Sequence, residues 1–275
     1  MMFIRLLFAI AFTVAASSTG SAAEKAIVLA STTSVEASGL LAHILPQFTA
    51  KTGITVNVVA QGTGKAIDTA RRGDADLLLV HDPEAEQHFM DEGDGATRRQ
   101  IAWNDFVIVG PSADPAHVRG GHDSVAALKA IATAQAPFVS RGDKSGTNAA
   151  ELRLWKAGGF TPDTLNAEKW YRDIGGGMGQ ALNAASAMNA YTLSDRGTWL
   201  SFNNKASLVI TIEGDSRLIN RYDVIELNPQ KHSSAKLDDA RVFADWLVSS
   251  EGQQAIGAYQ VNGEKLFNPS AASPK

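Results

Sequence analysis

Phe138-Val139-Ser140-Arg141-Gly142-Asp143-Lys144-Ser145-Gly146-Thr147 is the stretch on which the fold turns. Its first residues read as a strand end, its middle as a glycine-broken loop, and a helix-like run from Asn148 to Ala157 follows directly. The leading N–H groups of a helix have no internal partner, and with the helix dipole they favour an anion. Ser145 and Thr147 add hydroxyl donors, Arg141 adds a permanent positive charge, and Gly146 lets a ligand approach the backbone. A plain helix N-cap beside a surface arginine is the alternative, and this loop alone leaves both open.

Working outward, the same unit recurs. The apolar run Ala26 to Ala30 reads as a strand buried on both faces, and it stops at Ser31-Thr32-Thr33-Ser34. Four hydroxyl residues in a row exceed the one that an N-cap needs. A helical pattern follows, with Leu40, Leu41, Ile44, Leu45 and Phe48 on one face, and Pro46 is expected to break or restart it. Ile54 to Ala60 reads as a second strand, leading into Gln61-Gly62-Thr63-Gly64-Lys65-Ala66. This loop departs from a nucleotide-binding P-loop: Val59 stands where that motif needs its first glycine, and Ala66 follows the lysine. A further anion-facing turn built on Thr63 and the backbone at Gly62 and Gly64 is the better reading.

Leu77 to Val80 reads as a short buried strand ending at His81-Asp82-Pro83. A capped turn explains that pair most simply, with a ligating or catalytic role as the alternative. Ala96 to Gln100 reads as a basic connector and Trp103 to Gly110 as a strand. Gly175-Gly176-Gly177-Met178-Gly179 precedes an amphipathic helix, so Gly177 and Met178 are weaker backbone candidates. Alternating strands and helices predict an α/β fold with mostly parallel sheets flanked by helices. Ligands of such sheets sit beyond the strand C-termini, where all the polar loops fall.

Composition narrows the function. The 275-residue chain has no cysteine, which removes disulfides, thiolate metal sites, cysteine nucleophiles and a lipidated anchor. Its net charge is −4 and its basic residues are scattered, so no nucleic-acid face is expected. Arg5, the apolar run Leu6 to Ala16 and the small residues Ser21-Ala22-Ala23 read as a signal peptide over residues 1–23, cleaved after Ala23, with an uncleaved anchor as the alternative. A periplasmic protein without membrane insertion after cleavage is expected.

Taken together, these segments resemble the type II, two-lobed periplasmic solute-binding proteins that serve ABC importers. The resemblance spans the mature chain and is carried by Ser31–Ser34, Gly62-Thr63-Gly64, Gly73 to Asp82, Asn104 to Pro111, Ser140 to Thr147, Gly177-Met178-Gly179 and Ala190 to Thr198. Within the family the chain is most similar to the tungstate-binding components; they commonly carry threonine where Ser31 stands. The Arg141 to Thr147 spacing is also similar to that of phosphate-binding members.

The resemblance implies a discontinuous first lobe, residues 24–109 plus 213–275, a second lobe, residues 110–212, and a hinge near Gly110-Pro111 and Ile212-Glu213-Gly214. It implies an oxyanion held by Arg141, Ser145, Gly146 and Thr147 from one lobe and by Thr32, Thr33, Ser34 and Thr63 from the other. The implied ligand is tungstate, with molybdate close behind and phosphate or sulfate as alternatives. The implied partner is the membrane permease of an ABC importer. No cofactor and no bare metal cation is expected, and a monomer is. Asp82 and Asp143 are expected to point away from the pocket, because an acceptor there would welcome hydrogen phosphate.

A secreted serine hydrolase is the rival class. Lys144-Ser145-Gly146 and Ser233-Ser234-Ala235-Lys236 imitate two elements of penicillin-binding enzymes, but in reversed order and without the Ser-Asp-Asn between them. Neither a Gly-x-Ser-x-Gly elbow nor a His-Glu-x-x-His helix is present, so no enzyme is expected. An adhesive or structural surface protein would bind no small ligand.

Overall fold

The computed structural model describes residues 25–233 and 236–270, so the expected signal peptide, Ser234 and Ala235 lie outside it. β1 (Lys25–Thr32), α1 (Thr33–Ala37), α2 (Leu40–Thr52), β2 (Ile54–Gln61), α3 (Thr63–Arg71), β3 (Leu77–Val80) and α4 (Pro83–Asp91) begin the first lobe. β4 (Gly95–Pro111) crosses out of it. The second lobe holds α5 (Ser124–Thr133), β5 (Phe138–Ser140), α6 (Gly146–Ala157), α7 (Pro162–Asn166), β6 (Tyr171–Asp173), α8 (Met178–Met188), β7 (Thr192–Asp195), α9 (Arg196–Ser201) and β8 (Leu208–Ile212). β9 (Ile219–Leu227) returns, and α10 (Leu237–Val248), α11 (Ser250–Ala258), β10 (Gln260–Val261), β11 (Glu264–Lys265) and β12 (Asn268–Pro269) complete the chain.

The first-lobe sheet runs β12-β4-β9-β3-β1-β2. β2, β1 and β3 are parallel, as are β5 and β6, whereas β9 and β4 lie antiparallel to their neighbours. The sheets are therefore mixed, because the strands that travel between lobes must run back. Register matters for the site: Thr32 pairs with Gln61, and Ser31 with Leu79, so the C-terminal ends of β1, β2 and β3 finish level.

β4 serves both sheets. Gly95 to Asp105 pairs with β9, and Phe106 to Pro111 pairs with β7 and β8. The expected boundary at 109/110 thus falls inside the second-lobe half of this strand, where Val107 and Val109 are core residues beside Met178 and Leu182. On the return path Leu218 still packs in the second-lobe core, and β9 starts at Ile219, later than Ile212-Glu213-Gly214.

Each lobe buries apolar side chains on both sheet faces. In the first, Ile27, Leu29 and Leu77 pack under α2, α10 and α11, while Ala30, Leu78 and Val80 pack under α3 and α4. Pro46 does not break α2, which runs through it. Leu40, Leu41, Ile44 and Phe48 anchor the helix on both sides of the proline, and that packing outweighs one lost backbone bond. The basic segment Ala96 to Gln100 is strand rather than connector. Its arginines are held by ion pairs: Arg98 Nε lies 2.7 Å from Asp223 and 3.2 Å from Glu86, and Arg99 lies 2.7 Å from Glu226.

Candidate functional site

The first-lobe side of the site is the level edge of β1, β2 and β3. Thr32 is buried and caps α1, its Oγ1 accepting from the Val35 N–H at 3.1 Å. Ser31 turns the other way and donates to the Leu79 carbonyl at 2.8 Å. Thr33 is exposed and Ser34 half-buried. Gly62 has the extended backbone of an N-cap but no side chain to fill that role, so the first N–H groups of α3 receive no side-chain cap there. Thr63 opens that helix buried, and its Oγ1 has no hydrogen-bond partner among the described residues. Gly64 lies within the first turn of the same helix.

The second-lobe side is the loop between β5 and α6. Gly142 and Lys144 both have left-handed backbone, with φ of 60° and 57°, and they fold the loop back on itself. A Cβ at Gly142 would also run into the Asp173 carboxylate. Ser145 caps α6 through the Asn148 N–H at 3.2 Å. Arg141 is 4% exposed. Its Nη1 donates to Thr147 Oγ1 at 3.3 Å, its Nη2 donates to Asp143, and its Nε is buried without a partner among the described residues.

Asp143, expected to point away from the pocket, lies on this guanidinium instead. A buried arginine is costly without a counter-charge, and the left-handed turn brings Asp143 back within reach. Asp82 caps α4 through the Ala85 N–H at 3.5 Å and pairs with Arg153 of the other lobe at 3.0 Å. The glycine-rich loop reaches the site through Gly176, whose N–H donates to the Arg141 carbonyl at 2.9 Å. Gly177 caps α8 and donates to the Gln180 side chain at 2.8 Å, and Met178 is part of the core.

The two halves meet at His81. Ser34 Oγ lies 2.9 Å from its Nε2, and Asn220 Oδ1 lies 3.0 Å from its Nδ1. The ring stacks on Tyr222 at 5.1 Å, and Gly146 of α6 presses against its edge from the second lobe. Burial lowers the imidazole pKa, and the Arg141 charge acts in the same direction. A hydroxyl, an imidazole and an amide in line resemble a nucleophile, a base and its orienter. Here, however, the orienter is neutral and the base is held uncharged, so the line is poor at taking up a proton. Arg141, Thr147 and the start of α6 offer donors in one lobe, and Thr63 and the start of α3 offer donors in the other.

Comparison with known chains decides what such a cleft belongs to. The profile of the PBP superfamily domain matches residues 17–251. This chain belongs to the PBP superfamily. A curated relative, the tungstate-binding protein TupA of Peptoclostridium acidaminophilum, is 44% identical over 254 residues, covering 91% of this chain and 87% of the relative. A solved tungstate-binding protein, TupA from Desulfovibrio alaskensis G20, superposes with a TM-score of 0.81 at 42% identity, covering 90% of this chain and 100% of that one. The tungstate ABC transporter structure from Geobacter sulfurreducens gives a TM-score of 0.76 at 41% identity, over 86% of this chain and 99% of that one.

Two features of this PBP chain escaped the sequence reading. Beneath the arginine loop, buried Glu151 accepts from Ser140 Oγ at 2.8 Å, Tyr171 OH at 2.8 Å and Trp155 Nε1 at 3.2 Å. Burial pushes its carboxyl up to about 7. The signal was present, since Glu151 stands one helical turn before the inward Trp155. The second is a cavity of about 290 Å³ between the lobes, lined by His81, Phe106, Arg153, Arg217, Asn220 and Arg221 among others. Of the hydroxyl and arginine candidates none lines it, and His81 is its link to them.

Proposed function

We propose that this chain captures a tetrahedral oxyanion between its lobes and delivers it, outside the cytoplasm, to the membrane permease of an ABC importer. Tungstate is the ligand in this reading, with molybdate the close alternative. The observation that carries it is a buried donor without a partner among the described residues in each lobe, Arg141 Nε in one and Thr63 Oγ1 in the other. A buried polar group left unmade costs about 1–3 kcal/mol, and an anion that reached both would supply the missing acceptors. The tungstate-binding relatives support the same ligand class for this chain.

A dianion entering this cleft exchanges its water shell for charge-assisted bonds from Arg141 and neutral bonds from Thr63, Thr147 and backbone N–H groups. Each charge-assisted bond contributes about 1.5–3 kcal/mol net. Donors from both lobes make the ligand a bridge, and it shifts the hinge toward closure. We place that hinge at Asp105–Phe106 and Leu218–Ile219, where β4 changes partners and β9 begins, and take the working protein to be a monomer cleaved after Ala23. Parallel calorimetric titrations with tungstate, molybdate, sulfate and phosphate test the reading. Tight tungstate binding with sulfate and phosphate silent is expected. Phosphate binding tightest would overturn the ligand and make Asp143 its proton acceptor, and silence from all four would overturn the function.

A further inference from the structure

At His81 the hydroxyl loop, the second lobe and the crossing strand β9 meet on one side chain. Ser34 lies on one ring nitrogen, Asn220 of β9 on the other, and Gly146 against the edge. Asn220 in turn donates through Nδ2 to Asn104 Oδ1 of β4 at 2.8 Å and to Tyr222 OH at 2.8 Å.

The direction of this chain of bonds follows from its far end. Because Asn220 Nδ2 serves Asn104 and Tyr222, the atom it turns to His81 is Oδ1, an acceptor. His81 Nδ1 must therefore carry the hydrogen. In a ring that burial keeps neutral, Nε2 is then an acceptor, and Ser34 donates its hydroxyl hydrogen to it. Ser34 has then given its one hydrogen to His81, so in its 3.2 Å contact with Thr32 Oγ1 it accepts and Thr32 donates. Both hydroxyl hydrogens run toward His81. A fully deprotonated oxyanion offers only acceptors, so in this polarity neither hydroxyl can serve it.

We infer that His81 is a positioning residue for the oxyanion site, and that ligand binding turns its Nε2 from acceptor to donor. Nε2–H then donates to Ser34 Oγ, which frees the serine hydrogen for an anion oxygen. The ring reaches that state by gaining a proton from solvent, which the arriving negative charge favours, while Nδ1–H stays on Asn220 Oδ1. Asp82 and Asp195 favour the charged ring and Arg141 opposes it. The inference rests on the oxyanion reading of the cleft.

Ring-nitrogen NMR of the histidine-labelled wild-type protein tests it, with His81 assigned by the signal lost in His81→Gln. On saturation with sodium tungstate, Nε2 should move from the frequency of an unprotonated ring nitrogen to that of a protonated one. Calorimetry gives a second measure. Glutamine can still donate to Ser34, so His81→Gln should bind tungstate within about threefold of wild type, whereas His81→Leu should bind about tenfold or more weakly. Tungstate bound with Nε2 unprotonated overturns the inference alone, and so does leucine binding as well as glutamine. A wild-type chain that binds no tungstate overturns the functional reading and this inference with it. Should the leucine variant fail to fold, the wild-type spectrum still decides.

Discussion

The Cβ that alanine would place at Gly146 falls 2.6 Å from Cε1 of His81, across the cleft between the lobes. The ring cannot swing aside, because Ser34, Asn220 and Tyr222 fix it on three sides. Gly146→Ala should therefore push the lobes apart without disturbing either core. The expected result is a loss of tungstate affinity of about ten- to a hundredfold, as closure is disfavoured by the clash. The thermal midpoint of the ligand-free protein should barely move. Affinity equal to wild type would mean that α6 and His81 never meet in the closed molecule.

Arg141 offers the cleft a fork of donors that a lysine cannot copy. Arg141→Ala should weaken tungstate binding by about a hundredfold or more, in line with removal of one partner from a buried charged contact. Arg141→Lys should restore part of that loss, because the charge returns without the fork. Calorimetry on both variants checks this, and an alanine variant within about threefold of wild type sinks the assignment.

Thr63 allows a prediction with two opposite signs. Its hydroxyl is buried without a partner among the described residues, so Thr63→Val removes a group that costs stability when the cleft holds no ligand. Denaturant unfolding should show the ligand-free variant as stable as wild type or up to about 1 kcal/mol more so. Tungstate should bind it about tenfold more weakly. A fall in ligand-free stability would place that hydroxyl in the scaffold instead.

Glu151 ties stability to pH. Its carboxyl titrates at about 7 in the folded protein because burial disfavours the charge. In the unfolded chain a glutamate titrates near 4.3, so the native state holds an extra proton between those values. Stability from this group is fully present below about pH 4.3 and is lost as pH rises toward 7. Glu151→Gln cannot titrate and resembles the protonated acid. The stability difference between variant and wild type should shift by on the order of 3 kcal/mol across that window, in favour of the variant at the upper end. A difference that stays flat with pH rules this out.

What the sequence disclosed was local. A run of hydroxyls at a strand end, a glycine beside Thr63 and an arginine four residues before Ser145 are short-range patterns whose chemistry is visible without coordinates. His81 read first as a turn residue, with a ligating or catalytic role left open, because its partner Asn220 is 139 positions away. Asp143 misled for a different reason: its direction depends on the left-handed backbone at Gly142 and Lys144, and lysine does not advertise that conformation. Arg98 and Arg99 broke the alternation that marks a strand, and their acidic partners come from α4, β9 and α10.

β4 passes from one lobe to the other as a single extended strand, bonded to β9 on one side of Asp105 and to β7 and β8 beyond Phe106. A swing between the lobes must then be absorbed as twist along a bonded ribbon, since no slack peptide separates the two sets of partners. Twist in such a ribbon is elastic and directional: it permits rotation about the strand and resists sliding across it. The ladder thus acts as a torsion bar, with Arg196 bracing Asp105 at its midpoint through two bonds of 2.8 and 2.6 Å. In the proposed reading, the work that an anion would do in closing the cleft would be held as twist in this strand and returned when the ligand leaves.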